Sequence, residues 1–241
     1  MSSPIFSSQK LYLSGDCLEH YIFRTPVLSS FSRRRRSVWF SRGSSSFRSR
    51  FSLSRTKNSL RRLIQSNARV FNKFFTFTFK RNIKDISFAN DYFKKFIKRY
   101  RYAFARKLQY VSIIEFQKRG AIHYHTLCNS PFVPQKEILR CWGAGFVSVN
   151  KIKDSRSLGS YCSKYLLKES FDSRFTNKKK YFASRGVLRP IIMKDDFQIT
   201  DLIDTYKNQN LLIPEIQSQY KHLLGDDIIS LVDYNRYSLK I

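Results

Sequence analysis

The sequence predicts an α+β protein, because strand-like and helix-like patterns follow one another between residues 71 and 190. The stretch Phe74–Phe79 alternates aromatic and hydroxyl residues, which is typical of a half-buried strand. Ser87–Arg106 then places apolar residues at helical spacing, with lysine and arginine between them. We therefore expect an amphipathic helix with a basic outer face after the first strand.

The next elements continue this alternation. Val111–Gln117 has the composition of a second strand, and a short link joins it to a third strand that begins near Ile122. A helix is expected from Pro134 to Trp142, where Gly143 would end it. A further strand over Phe146–Ile152 and a helix over Arg156–Lys168 complete the pattern.

Two of the chain's four histidines follow directly after the link between the second and third strands. His123 and His125 are two positions apart, so a strand directs both imidazoles to one face. Glu115 and Gln117 have the same relation on the preceding strand. A three-residue loop, Arg119–Ala121, would place Glu115 opposite His125 and Gln117 opposite His123, with all four side chains on one face. A two-residue loop would place the two pairs on opposite faces.

This residue set predicts a metal site with Glu115, His123, His125 and Gln117 as ligands. A carboxylate oxygen and two imidazole nitrogens, with positions open to water or substrate, suit the divalent metals Mg²⁺ and Mn²⁺ and could also hold Zn²⁺. The alternative is a surface hairpin with exposed histidines. We favour the metal site because of the rest of the chain.

The overall charge indicates a polyanionic partner. The chain of 241 residues has a formal net charge of +28 and a pI near 10.2. Nucleic acid is the first choice, and an acidic membrane surface is the competing explanation. We find no apolar stretch long enough to span a bilayer and no apolar leader near Met1, so we expect no membrane partner.

The two flanks differ in composition from the middle, and we divide the chain into three regions. Residues 1–70 are predicted to be a basic, mostly disordered arm, because Phe31–Val70 holds twelve basic residues, no acidic residue and many serines. Its Arg33–Arg36 run could neutralise phosphates, serve as a nuclear address or keep the chain soluble. Residues 71–190 form the expected catalytic domain. Residues 191–241 hold eight of the seventeen acidic residues and are expected to form a helical appendage that faces away from the polyanion.

A second constellation lies downstream, at Tyr161, Lys164 and Tyr165. On a helix the two tyrosines share a face and Lys164 lies beside them. A phenol with an ordinary pKa near about 10 is a weak nucleophile at neutral pH, so a metal and a cation would have to activate it. Taken alone, aromatic residues four positions apart indicate helix packing. Together with the histidine hairpin, they favour nucleophilic attack on a phosphate.

In this order the motifs resemble those of the HUH endonucleases, the family that initiates rolling-circle replication. The subgroup most similar to this chain consists of phage and plasmid replication-associated proteins related to the filamentous-phage gene II protein. The resemblance covers roughly Phe71 to Pro190, about half of the chain. Three motifs carry it: Phe75-Thr76-Phe77-Thr78-Phe79, His123-Tyr124-His125 and Tyr161-Cys162-Ser163-Lys164.

The resemblance implies a small antiparallel sheet with flanking helices and a metal-dependent nick in single-stranded DNA at an origin hairpin. It implies a covalent 5′-phosphotyrosine intermediate on Tyr161, with Lys164 assisting, and a free 3′-OH. Tyr161 and Tyr165 also fit the two-tyrosine pattern of the family, in which the phenols alternate. The chain has no GxxxxGK[ST] motif, so a host helicase would supply unwinding and a host polymerase would extend the 3′ end.

Two alternatives remain at this stage. A transposase or relaxase would use the same HUH chemistry for another biological end. A non-catalytic protein that binds or packages single-stranded DNA would explain the charge and the aromatic residues without any chemistry. The expected location is the cytoplasm of the host cell, or the nucleus if the host is eukaryotic.

Overall fold

The α+β class is confirmed by the computed structural model, which describes residues 6–28, 45–152, 158, 175, 178–224 and 227–240. In these residues the chain forms four helices and two antiparallel sheets of five strands. The helices are α1 (Ser45–Ser66), α2 (Ile86–Ala103), α3 (Gln135–Trp142) and α4 (Asp196–Asn208). The strands are β1 (Phe6–Ser14), β2 (Cys17–Leu28), β3 (Lys73–Phe79), β4 (Tyr110–Phe116), β5 (Ile122–Cys128), β6 (Gly145–Lys151), β7 (Tyr181–Ala183), β8 (Ile191–Met193), β9 (Leu212–Leu224) and β10 (Asp227–Leu239).

The chain divides into two compact units. The central unit is Leu53–Leu188, and the terminal unit combines Met1–Ser52 with Arg189–Ile241. Each unit contains one of the two sheets. Among the described residues, none of the helices is long and apolar enough to cross a membrane.

The central sheet has the strand order β6-β3-β5-β4-β7, and every neighbouring pair is antiparallel. The alternation predicted for β3 is confirmed, because Phe75, Phe77 and Phe79 are at most 2% exposed. These rings pack on one face of the sheet with α2 and α3. Trp142 of α3 lies 5.0 Å from the ring of Phe77, measured between centroids. The larger of the two cores in this unit is therefore aromatic.

The opposite face of the central sheet is covered by α1. Leu60, Leu63 and Ile64 of this helix are at most 2% exposed and share an apolar cluster with Ile113 of β4 and Leu127 of β5. Because the side chains of a strand alternate, this is also the face to which His123 and His125 of β5 point. We call it the site face.

The helix signals read from the sequence are confirmed for α2 and α3. The helix α2 starts after Asp85, whose side chain accepts a hydrogen bond from the backbone N–H of Phe88 at 2.6 Å. Proline at position 134 precedes α3, and Gly143 ends it in the left-handed conformation, with φ of 66°. The helix predicted over Arg156–Lys168 lies outside the described residues except for Leu158.

The terminal sheet has the order β8-β1-β2-β10-β9 and is antiparallel throughout. The helix α4 packs on one face, where Ile199 and Ile203 form an apolar cluster with Leu11 of β1 and Leu18 of β2. The carboxylate of Asp196 at the start of α4 accepts hydrogen bonds from the backbone N–H groups of Ser8 and Gln9. Both ends of the chain thus contribute to one core.

The prediction of a mostly disordered arm over residues 1–70 differs from the described parts of that region. Residues 6–28 form β1 and β2, and residues 45–66 form α1. Serine and arginine dominate the composition, but Leu60, Leu63 and Ile64 have the i, i+3, i+4 spacing of a buried helix stripe. Their burial outweighs the unfavourable average composition. The Arg33–Arg36 run lies outside the described residues.

The predicted helical appendage over residues 191–241 is only partly helical. The helix α4 is present, but residues 212–224 and 227–239 form two strands of 13 residues each. The last strand is rich in isoleucine, valine and tyrosine, which favour the extended backbone.

Candidate functional site

The hairpin that carries the candidate ligands has the predicted loop length but a different register. Its loop is Lys118–Gly120, because the N–H of Gln117 donates to the carbonyl of Ala121 at 2.8 Å. Glu115 therefore lies opposite His123, and Ile113 lies opposite His125. The predicted pairs, Glu115 with His125 and Gln117 with His123, are wrong by two positions.

The glycine of the loop explains this register. Three-residue hairpin loops combine a type I turn with a left-handed residue, which is most easily glycine. Gly120 has φ of 85°, and its N–H donates to the carbonyl of Gln117 at 2.7 Å. Because Gly120 is the last loop residue, the loop begins at Lys118. A shift of two positions keeps the side-chain alternation, so Glu115, His123 and His125 still point to the same face.

Both ring nitrogens of His125 contact polar side chains. Its Nε2 is hydrogen-bonded to the carboxylate of Glu115, which lies diagonally across the two strands. Its Nδ1 lies 3.3 Å from the hydroxyl of Thr76 on β3, and its ring stacks on that of Phe74 at a centroid distance of 5.8 Å. An ionised carboxylate can only accept, so Nε2 is the donor in this hydrogen bond. The ring orientation is fixed by three side chains from two strands.

His123 has no such support in the described part of the chain. Its side chain is 8% exposed, and its Nε2 is buried without a hydrogen-bond partner among the described residues. Burial is the main cause that lowers its pKa from 6.5 to about 4, and the neighbouring His125 acts in the same direction. The ring is therefore neutral at neutral pH. A neutral imidazole with an unpartnered buried nitrogen has the state that a metal ligand requires.

Gln117 is only half-buried, and its Oε1 accepts a hydrogen bond from Nε of Arg119 at 3.0 Å. The described residues contain no group of three His, Cys, Asp or Glu side chains arranged to hold a metal ion. Glu115, His123 and His125 share a face, but the carboxylate is engaged by His125. Three of the four predicted ligands thus lie on one face, where Glu115 and His125 are hydrogen-bonded to each other and His123 lies beside them.

Tyr124, between the two histidines, points into the aromatic core. Its hydroxyl donates to Oδ1 of Asn90 at 2.8 Å, and its ring stacks on Phe93 at a centroid distance of 4.6 Å. Burial raises the pKa of this phenol, which makes it a poor nucleophile. Because the side chains of a strand alternate, the imidazoles on either side of Tyr124 point to the opposite face.

The structure does not describe the predicted nucleophile segment. Tyr161, Lys164 and Tyr165 all lie outside the described residues. Leu158, three positions before Tyr161, is 6% exposed and belongs to the apolar cluster on the site face, with Ile113 and Leu127. Leu158 is therefore the described residue nearest in sequence to Tyr161, and it belongs to the cluster on the face that carries the histidines.

Thr76 and Phe74 are site residues to which the sequence pattern alone assigned no contact. They lie on β3, about fifty positions before His125, and reach it only because β3 pairs with β5. The available signal was the alternation of β3, which places Phe74, Thr76 and Thr78 on the face opposite the buried phenylalanines. Which strand would pair with β5 was not readable from that pattern.

Comparison with known protein families gave a match that covers much of the central unit. Residues 72–170 match the family of replication-associated proteins of the ORF2 and gene II protein type. No curated protein and no solved structure gave a match. The matched stretch contains β3, α2, the histidine hairpin, α3 and β6, together with the predicted tyrosine segment. Residues 72–170, and with them the histidine hairpin, are therefore similar to this family of replication-associated proteins.

Proposed function

We propose that this protein initiates rolling-circle replication by nicking and rejoining single-stranded DNA at an origin. The observation that carries the proposal is the convergence of Glu115, His123 and His125 on one sheet face, to which Leu158 also anchors the chain. Leu158 precedes Tyr161 by three positions in the sequence. The match of residues 72–170 to a family of replication-associated proteins supports the same proposal.

The donor types on the site face suit a divalent metal, Mg²⁺ or Mn²⁺, once the carboxylate of Glu115 leaves His125. His123 offers a buried imidazole nitrogen with no partner among the described residues, and Glu115 offers a carboxylate beside His125. When bound, the metal would supply Lewis-acid polarisation of the scissile phosphate. Glu115, His123 and His125 would hold it, and the amide oxygen of Gln117 would join them after leaving Arg119. Thr76 keeps the ring of His125 oriented for this task.

The chemistry belongs to the tyrosine segment. The phenolic oxygen of Tyr161 forms a bond to phosphorus, the bond from phosphorus to the 3′-oxygen breaks, and the phenolic proton is passed on to the leaving oxygen. Lys164 stabilises negative charge on the phosphate oxygens. The phosphotyrosine ester conserves the energy of the broken diester, so a 3′-OH can later reverse the reaction. Tyr165 is the candidate for a second nucleophile.

Other proteins would complete the replication cycle. The chain has no P-loop motif, so a host helicase is expected to unwind the duplex and a host polymerase to extend the 3′-OH. The single-stranded origin hairpin is the expected DNA partner.

The test is the formation of a covalent adduct. Wild-type protein is incubated with a single-stranded origin oligonucleotide and Mn²⁺, and the adduct is resolved on a denaturing gel. We expect Tyr161→Phe to abolish the adduct, and replacement of His123 and His125 with Ala to abolish its metal-dependent formation, with DNA binding retained in both variants. His222→Ala, in the terminal unit, is the matched histidine control and should leave the adduct unchanged.

Two outcomes would count against the proposal. An adduct that survives Tyr161→Phe but is lost in Tyr165→Phe moves the first nucleophile to Tyr165. If the wild type binds the oligonucleotide but forms no adduct with any divalent metal, the protein is a DNA-binding protein without this chemistry.

A further inference from the structure

A row of facing residues runs across four strands of the central sheet on the site face. Glu115 of β4 faces His123 of β5, His123 faces Thr78 of β3, and Thr78 faces Phe146 of β6. Neighbouring strands lie about 4.8 Å apart, so Phe146 is about 10 Å from the backbone of His123. The row therefore connects the candidate site with the edge of the sheet.

The outer half of this row is open to solvent. His123 is 8% exposed, Thr78 is half-buried, and Phe146 is 57% exposed. The next row repeats the gradient, since His125 faces Thr76 and Thr76 faces the half-buried Ser148. Hydroxyl groups thus line a strip that leads from the imidazoles to an exposed phenyl ring at the edge strand.

The backbone fixes Phe146 in this position. Its neighbour Val147 is fully buried on the opposite face, and strand alternation then directs Phe146 to the site face. A Cβ atom at Gly145 would lie 2.2 Å from the carbonyl oxygen of Thr78, so only glycine allows β6 to approach β3 this closely. The exposed Lys80, whose N–H donates to the carbonyl of Ala144 at 2.8 Å, adds a cation at the same end of the strip.

We infer that Phe146 is a stacking platform for one base of the single-stranded DNA, next to the scissile phosphate. This inference rests on the proposed function, because it needs a DNA strand on the site face. Exposed aromatic rings beside cations bind single strands through base stacking, which every base can provide. The sugar-phosphate backbone of that nucleotide would cross the hydroxyl strip at Thr78, with Lys80 close to a phosphate.

The experiment measures the affinity of the full-length protein for a fluorescent single-stranded origin oligonucleotide. We expect Phe146→Ala to weaken binding about tenfold and Phe146→Trp to restore it. Phe132→Ala is the matched control, because Phe132 is even more exposed, at 84%, but is not part of the site-face rows. It should leave the affinity unchanged.

An abasic scan then identifies the stacked base. Each nucleotide near the nick is replaced in turn by an abasic site. At one position the abasic site should lower the affinity of the wild type about tenfold. The same abasic site should not lower the affinity of Phe146→Ala any further. Equal affinities of Phe146→Ala and wild type, or a scan in which the two proteins lose affinity in parallel at every position, would overturn the inference.

The outcome is separable from that of the proposed function. Phe146→Ala should still form the covalent adduct at saturating oligonucleotide, because the ring contacts a base and not the phosphorus. If that variant binds like wild type while Tyr161→Phe forms no adduct, the stacking platform fails and the nicking chemistry stands. If the wild type forms no adduct but the abasic scan still reveals the stacked base, the chemistry fails and a stacking site for single-stranded DNA remains.

Discussion

At the scale of single residues, the imidazole of His20 shows how burial determines a protonation state. Its side chain is 6% exposed in the terminal sheet, and Nε2 donates to Oε1 of Gln9 at 2.7 Å. Burial lowers its pKa from 6.5 to about 4, and the positive charge of Lys207 adds to that effect. The ring is therefore neutral in the folded protein at pH values where it is charged in the unfolded chain.

This difference predicts a pH dependence of stability. Between pH 6.5 and pH 4 the unfolded state binds a proton that the folded state does not, so the free energy of unfolding should fall as the pH falls through that window. The loss should reach about 3 kcal/mol for this residue. His20→Gln keeps a donor for Gln9 and removes the titration. Urea unfolding at pH 7 and pH 4.5 should show a smaller loss for this variant than for wild type, and equal losses would contradict the prediction.

The candidate site shows which parts of a residue's environment can be read from sequence. The common face of Glu115, His123 and His125 followed from side-chain alternation and an odd loop length, so it survived a wrong register. The register itself depends on which loop position Gly120 occupies. The contact of Thr76 with His125 depends on strand pairing across distant sequence, which alternation does not encode.

At the scale of elements, the two glycines around the start of β6 have different tasks. Gly143 ends α3 at φ of 66°, and a Cβ atom there would come no closer than 3.8 Å to another group. At Gly145 the same atom would lie 2.2 Å from the carbonyl oxygen of Thr78 and 2.5 Å from the backbone nitrogen of Lys80. Gly143 is required because the backbone there is left-handed, whereas Gly145 is required because a Cβ atom would clash with the backbone of β3.

The two alanine variants should therefore differ in stability. Gly143→Ala should cost about 1 kcal/mol, the ordinary cost of a left-handed non-glycine residue. Gly145→Ala should cost more, about 2 to 4 kcal/mol, because β6 has to move away from β3 or distort. Chemical denaturation gives both values. Amide hydrogen exchange should show faster exchange in β6 for Gly145→Ala only, and a similar cost for the two variants would refute the steric argument.

Elements with local signals were predictable, and elements defined by distant burial were not. A regular apolar stripe predicted α2, and a proline and a glycine bounded α3. The helix α1 has a polar composition and owes its place to a few leucine and isoleucine contacts with the sheet. The strand β9 is mostly exposed, and its pairing with β10 is not apparent from its own residues.

At the scale of the whole molecule, the positive charge is unevenly divided. The central unit, Leu53–Leu188, contains thirty basic and seven acidic residues, a net charge of +23 out of the total of +28. The segment Arg189–Ile241 contains six basic and eight acidic residues. The field that attracts a polyanion therefore originates mainly in the unit that carries the histidine hairpin.

This division predicts a unit-specific salt dependence of DNA binding. Replacing Lys118 and Arg119 in the exposed hairpin loop with Gln should weaken binding to single-stranded DNA and reduce the slope of log affinity against log salt by roughly 1.4. The same double change at Lys207 and Lys221, in the terminal unit, removes equal charge and should leave the slope unchanged. Fluorescence anisotropy at several salt concentrations measures both, and equal effects would show that only net charge matters.

The terminal sheet joins strands from the two ends of the chain. The hydroxyl of Tyr234 on β10 donates to the carboxylate of Glu19 on β2, 215 positions away, at 2.8 Å. During translation, β1 and β2 emerge before the middle of the chain, and their neighbour β10 is synthesised only after it. The stretch between them has by then been synthesised in full and can fold earlier. In a nascent chain arrested before Leu212, the central unit should therefore resist protease, and β1 and β2 should be cleaved.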